Sequence, residues 1–178
     1  MASFSELETS RLIDKLRSRS AWLATAESCT GGLVASLITD IAGASDVFWG
    51  ASVVYDNSAK LELGVSAELL AQHGAVSEAV ARALSEAALR RMTAAHASSP
   101  PSYLAGRPAR ERYALSTTGI AGPGGATAAK PVGLCWIALS GGHFETRALR
   151  IETQGLDRVA NKAAFARAAL QLLADSLA

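Results

Sequence analysis

The chain has 178 residues, 49% hydrophobic and 19% charged, which is enough apolar content to bury one core and too much for a disordered segment. Its 17 Lys and Arg stand against 16 Asp and Glu, and a formal net charge of +1 argues against nucleic acid as a partner, because neutralising phosphates needs a basic surface. Two cysteines are too few for a disulfide framework or a structural zinc site, and without a basic-then-apolar leader or a run of about 18 apolar residues the expectation is one domain over residues 1–178, soluble and cytoplasmic, with no membrane contact and no metal.

Phe4, Leu7, Leu12 and Leu16 predict an amphipathic helix over Ser3 to Ser18. Ala21 to Ala26 is an apolar run of strand length that stops at Glu27-Ser28-Cys29-Thr30-Gly31-Gly32. Leu33, Val34, Leu37, Ile38 and Ile41 then resume helical spacing, with Gly43 as the stop. Ser52-Val53-Val54-Tyr55 reads as a second strand. Asn57 is placed to cap a short helix ending at Gly64, Ser66 to Gln72 forms another, and Ser77 caps a longer one from Glu78 to His96. Ala97 to Arg112 holds three prolines and three arginines without periodicity and reads as a surface loop. Tyr113 to Thr118 is a third strand. Val132 to Leu139 and Phe144 to Ile151 form a hairpin turning at residues 140–143, and Asp157 to Leu177 is a closing helix with Val159, Ala163, Phe165, Ala169, Leu172 and Leu173 inward. This order predicts an α/β three-layer sandwich, a mixed and mostly parallel sheet flanked by helices, with a C-terminal β-hairpin and closing helix.

The turn after the first strand lies where open α/β sheets place ligands. A helix starting near Thr30 would aim unpaired N–H groups at a phosphate or an oxyanion, with Ser28 beside them as a nucleophile. The plainer alternative is that Ser28 or Thr30 only caps the helix. A serine needs a base. His73, His96 and His143 lack an evident carboxylate partner and read as solvated surface residues. Lys60 can serve if desolvation lowers its pKa. Cys29 is an alternative nucleophile, more readily a packed side chain, and Cys135 reads as core. Thr117-Thr118-Gly119-Ile120-Ala121-Gly122-Pro123-Gly124-Gly125 lets backbone N–H groups approach a ligand closely, and Lys130 could close that loop over an anion.

Taken together, Thr25-Ala26-Glu27-Ser28-Cys29-Thr30-Gly31-Gly32, Val54-Tyr55-Asp56-Asn57-Ser58-Ala59-Lys60, Gly74-Ala75-Val76-Ser77, Thr118-Gly119-Ile120-Ala121-Gly122-Pro123 and Lys130-Pro131-Val132-Gly133 make the chain resemble the C-terminal domain of the competence/damage-inducible protein CinA, the nicotinamide-nucleotide amidohydrolase family. The resemblance implies hydrolysis of the carboxamide of nicotinamide mononucleotide to nicotinate mononucleotide and ammonia, in NAD salvage, with no cofactor. It implies Ser28 as nucleophile, Lys60 and Tyr55 as its activators, and Thr118 and Arg158 as substrate contacts, to which the two glycine-containing turns add Thr30, Gly31, Gly119 and Gly122 as substrate-binding positions. It also implies a homo-oligomer and a small nucleotide as the partner. The chain departs from the pattern at Leu156, where the family has glycine before Asp157-Arg158, and at Lys162, where it has arginine; lysine lacks the bidentate fork that holds phosphate. Those departures motivate an alternative, a non-catalytic nucleotide-binding or regulatory module tied to competence or DNA damage. A third possibility keeps the chemistry on another phosphorylated amide.

Overall fold

The computed structural model describes residues 5–100 and 111–177. Five strands form one sheet in the order β2-β1-β3-β4-β5: β1 (Ala21–Glu27), β2 (Phe48–Val53), β3 (Glu111–Gly119), β4 (Leu134–Gly141) and β5 (Phe144–Glu152). β1 runs parallel to both β2 and β3, while β3, β4 and β5 are antiparallel in turn. The helices are α1 (Glu6–Ser18), α2 (Leu33–Thr39), α3 (Asn57–Leu63), α4 (Ala67–His73), α5 (Glu78–Ser98) and α6 (Arg158–Ser176). This is the three-layer α/β arrangement expected.

The layers follow from side-chain alternation along the central strands. Leu23, Leu115, Ile137 and Leu139 point to one face, where they meet Ile13 and Leu16 of α1, Ile38 of α2, and Phe165 and Leu170 of α6. The opposite face of β1 and β3 carries Trp22 and then the small residues Ala24, Ala26 and Ala114, against which α5 packs Val80, Leu84 and Met92. There Ser116 donates to the Ala81 carbonyl at 2.6 Å, and the hydroxyls of Ser85 and Ser140 meet at 2.7 Å. Each buried hydroxyl on that face has a partner, as burial in low dielectric demands.

Several elements differ from the expectations. β2 starts four residues earlier than the predicted strand and leaves Tyr55 outside it. Its register with β1 slips between Leu23 and Ala24, opposite Phe48 and Gly50, and Gly50 takes φ +151 there. A glycine inside an edge strand marks such a bulge. The short helix is capped by Asp56, not Asn57, because the Asp56 carboxylate accepts from the Ser58 N–H at 2.8 Å. α5 runs on to Ser98 and β3 begins at Glu111, so the ends of the predicted 97–112 loop belong to these elements; its residues 101–110 lie outside the described residues. Leu7 and Val159 are exposed, since each sits in the first turn of its helix, ahead of the stripe that meets the sheet. His96 is buried, contrary to expectation. Its ring stands edge-on to Trp22 with centroids 5.3 Å apart, and burial, then the Arg112 charge, lowers its pKa. Among the described residues no helix is long and apolar enough to cross a membrane.

Candidate active site

The carboxyl ends of β1, β2 and β3 open into a cavity of about 250 Å³. Ser28, Tyr55, Lys60, Thr118, Gly119, Gly122 and Arg158 all line it, together with Cys29 and Asn57. Residues more than 100 positions apart are thus gathered by three parallel strands and the first turn of α6.

Ser28 follows β1 directly, and its N–H donates to the Thr117 carbonyl at 3.0 Å, which extends the β1–β3 pairing by one residue. Its hydroxyl has no hydrogen-bond partner among the described residues. Lys60 is 1% exposed, and its ammonium donates to the backbone carbonyls of Tyr55 at 2.9 Å and Asp56 at 3.5 Å. Burial pushes the Lys60 pKa below its ordinary value, only partly opposed by the charge of Asp56 and by Cys29. A buried lysine without a carboxylate contact is the form of lysine able to accept a proton near neutral pH. None of the three histidines lines the cavity.

The expected donors at the start of α2 are not available. Glu27 is fully buried, and its carboxylate accepts from the N–H groups of Gly32 at 2.9 Å, Val34 at 3.0 Å and Ala35 at 2.8 Å, and from the Thr30 hydroxyl at 2.7 Å. This carboxylate satisfies the helix N-terminus that a ligand was expected to use. Neither Ser28 nor Thr30 caps the helix; the N-cap position is Gly32, which has no side chain to offer. The Thr30 hydroxyl and the Gly31 N–H are therefore both engaged within the turn. Thr30 is buried between Glu27 and the Thr117 hydroxyl, and the Gly31 N–H donates to the Ser28 carbonyl at 3.1 Å. Within this turn, the N–H groups of Cys29 and Thr30 are the two without an acceptor among the described residues.

Tyr55 makes two contacts at the cavity. Its hydroxyl accepts from Arg158 at 2.7 Å, and its backbone carbonyl holds Lys60. Arg158 donates its other nitrogen to the Gly122 carbonyl and so bridges the two lips of the cavity. Thr118 gives its proton to the Ala75 carbonyl at 2.7 Å, which leaves its oxygen as an acceptor only. Gly119 is required by packing: a Cβ there would sit 2.5 Å from the Leu134 carbonyl oxygen. Lys130 does not reach the cavity. Its ammonium donates to the His73 carbonyl at 3.0 Å and ties the glycine loop to α4. Cys29 and Cys135 are both buried in the core, with Cys29 also bordering the cavity.

Two contributors were missed in the sequence. Glu27 had a signal, a lone acid ending an apolar strand just before a helix. Asn161 had one too, as a polar residue four positions before inward Phe165. Asn161 donates to the carbonyls of Ala121 at 3.0 Å and Leu156 at 3.3 Å, fastening α6 to the glycine loop.

The family model of the CinA C-terminal domain matches residues 6–100 and 104–177. The chain belongs to the CinA C-terminal domain family. A CinA-like protein of Chlorobium phaeovibrioides is 46% identical over 174 residues, covering 93% of this chain but 36% of the relative. One from Anaeromyxobacter dehalogenans is 43% identical, covering 86% of this chain and 34% of the relative. This CinA-family chain thus spans about a third of the curated relatives it matches. Among solved structures, competence/damage inducible protein CihA from Agrobacterium tumefaciens superposes with a TM-score of 0.83 at 35% identity, covering 99% of each chain. A CinA superfamily protein from Escherichia coli superposes with a TM-score of 0.80 at 28% identity, covering 98% of this chain and 92% of that one.

Proposed function

We propose that the chain is an amidohydrolase that removes ammonia from the carboxamide of nicotinamide mononucleotide. One observation carries this reading: Ser28, with an unengaged hydroxyl, shares a cavity with Lys60, a buried lysine whose pKa is lowered by desolvation. Neutral Lys60 would take the Ser28 proton as the oxygen attacks the amide carbon. The N–H groups of Cys29 and Thr30, rather than those of α2, are the donors left to meet the developing oxyanion; the residue after a nucleophile serves this role in other hydrolases. The proton passes to the leaving nitrogen, ammonia departs, and water hydrolyses the acyl-enzyme to nicotinate mononucleotide. Arg158, at the cavity lip, is the cation placed for the phosphate.

A second reading has its own support. The Lys60 and Arg158 donors are held by this chain's own oxygen atoms, which also suits a module that binds a nucleotide without turning it over. Ammonia release from nicotinamide mononucleotide, measured beside Ser28→Ala and Lys60→Met, separates the two. Turnover in the wild type that both variants lose supports the hydrolase. Calorimetric binding with no ammonia from the wild type favours the binding module.

A further inference from the structure

The Sγ atoms of Cys29 and Cys135 lie 3.8 Å apart, although 106 residues separate them in the chain. We propose that this pair is an oxidation site for a peroxide-class oxidant, and that the disulfide it forms reversibly shuts the Ser28 site. The second half of the proposal rests on the hydrolase reading; the first does not.

Cys29 is the sulfur that an oxidant meets. It borders the cavity and is 5% exposed, whereas Cys135 is fully buried in β4 and burial holds its thiol well above the usual range. Cys29 lines the cavity through which a small peroxide would reach its sulfur, which reacts as the thiolate. The Cys29 thiolate attacks one oxygen of the peroxide. An S–O bond forms, the O–O bond breaks, and the departing oxygen leaves as water, so Cys29 becomes a sulfenic acid. The Cys135 sulfur then attacks the Cys29 sulfur. The S–S bond forms, the S–O bond breaks, and hydroxide leaves with the Cys135 proton as a second water. Two thiols are oxidised and one peroxide is reduced.

A disulfide needs about 2.05 Å between sulfurs, so roughly 1.8 Å must close. Cys135 has little freedom to supply it. β4 pairs with β3 on one side and β5 on the other, and Gly119 packs so tightly that a Cβ there would lie 2.9 Å from the Cys135 Cα. Cys29 lies in the turn beyond the end of β1 and is covalently adjacent to Ser28. The closure therefore draws on the turn and displaces the nucleophile, and a misplacement of about 1 Å is enough to cost on the order of 10²-fold in rate.

The test treats purified protein with hydrogen peroxide, quenches with iodoacetamide, and reads intact mass and peptide map beside ammonia release. Expected are loss of the mass of two hydrogens, a peptide joining Cys29 to Cys135, a fall in turnover of roughly 10²-fold, and recovery with dithiothreitol. Cys135→Ala should keep basal turnover, form no link, and carry oxygen adducts on Cys29. If that variant does not fold, Cys29→Ala should show neither link nor adduct, since the remaining thiol is buried. Stepwise oxygen addition to wild-type Cys29, with Cys135 still alkylated after unfolding, overturns the proposal. A linked protein with full turnover overturns its second half. Absence of turnover before oxidation would defeat the hydrolase reading and the shutting with it, while the mass result still decides the link.

Discussion

Lys60 is buried without an ion pair among the described residues, so folding opposes its protonation. Its folded pKa lies below the unfolded value of 10.5. Between the two values the unfolded chain binds more protons, so stability rises with pH across that window and its cost is fully felt below it. Lys60→Met should flatten the alkaline rise in unfolding midpoint and abolish ammonia release, as thermal melts at several pH values and an ammonia assay would show. In the wild type, turnover should climb with pH as Lys60 loses its proton and level off below pH 10.5. Glu27 presents the opposite case, a buried carboxylate surrounded by donors. Glu27→Ala strips three backbone N–H groups of their acceptor, and at about 1–3 kcal/mol for each orphaned donor the loss should be at least about 3 kcal/mol in a urea denaturation. Ser28 and Lys60 were legible in the sequence because residue type, turn context and the family motif pointed the same way. The partner of the Tyr55 hydroxyl was not, because Arg158 stands 103 residues away and no local pattern encodes that meeting.

At the level of elements, the strands and long helices were readable where a single period dominated. β1 is buried at every position and is apolar but for Thr25 and the closing Glu27, as a strand flanked on both sides should be. β2 was misplaced because its information is split between an edge position and the Gly50 bulge. α2 was placed near the right start, but what terminates it at the N-terminal end was not seen, because its acceptor comes from the preceding strand rather than from a cap residue. α6 is capped by Asp157, whose carboxylate accepts from the Ala160 N–H at 2.8 Å. Its first turn then carries Arg158 to the cavity lip. Arg158→Ala removes charge-assisted hydrogen bonds worth about 1.5–3 kcal/mol, so KM for the nucleotide should rise roughly 10- to 100-fold with a much smaller change in kcat, by steady-state kinetics.

Across the whole molecule, two apolar layers share one sheet, and β1, β3 and β4 lie between partners while β2 and β5 stand at its two ends among the described residues. Opening an interior strand must break pairing on both sides and both layers at once. Native-state hydrogen exchange should therefore find the amides of Leu23, Leu115 and Leu139 the slowest, and those of β2 and β5 faster; equal protection across the five strands would contradict this picture. The layered fold was legible from the order of elements, but the cavity depends on which loops meet at one end of the sheet, and that is set by strand order. The carboxylate that fills the amino end of α2 also gives the cavity a direction. With Glu27 already installed behind the Ser28 turn, a guest with one anionic end meets repulsion there and a cation at the far lip. On the proposed reading, the nucleotide would dock one way round, its phosphate outward at Arg158 and its positively charged pyridinium ring inward, toward the Ser28 turn and the Glu27 side. A nucleoside stripped of its phosphate would keep the ring's charge but lose its anchor at the lip.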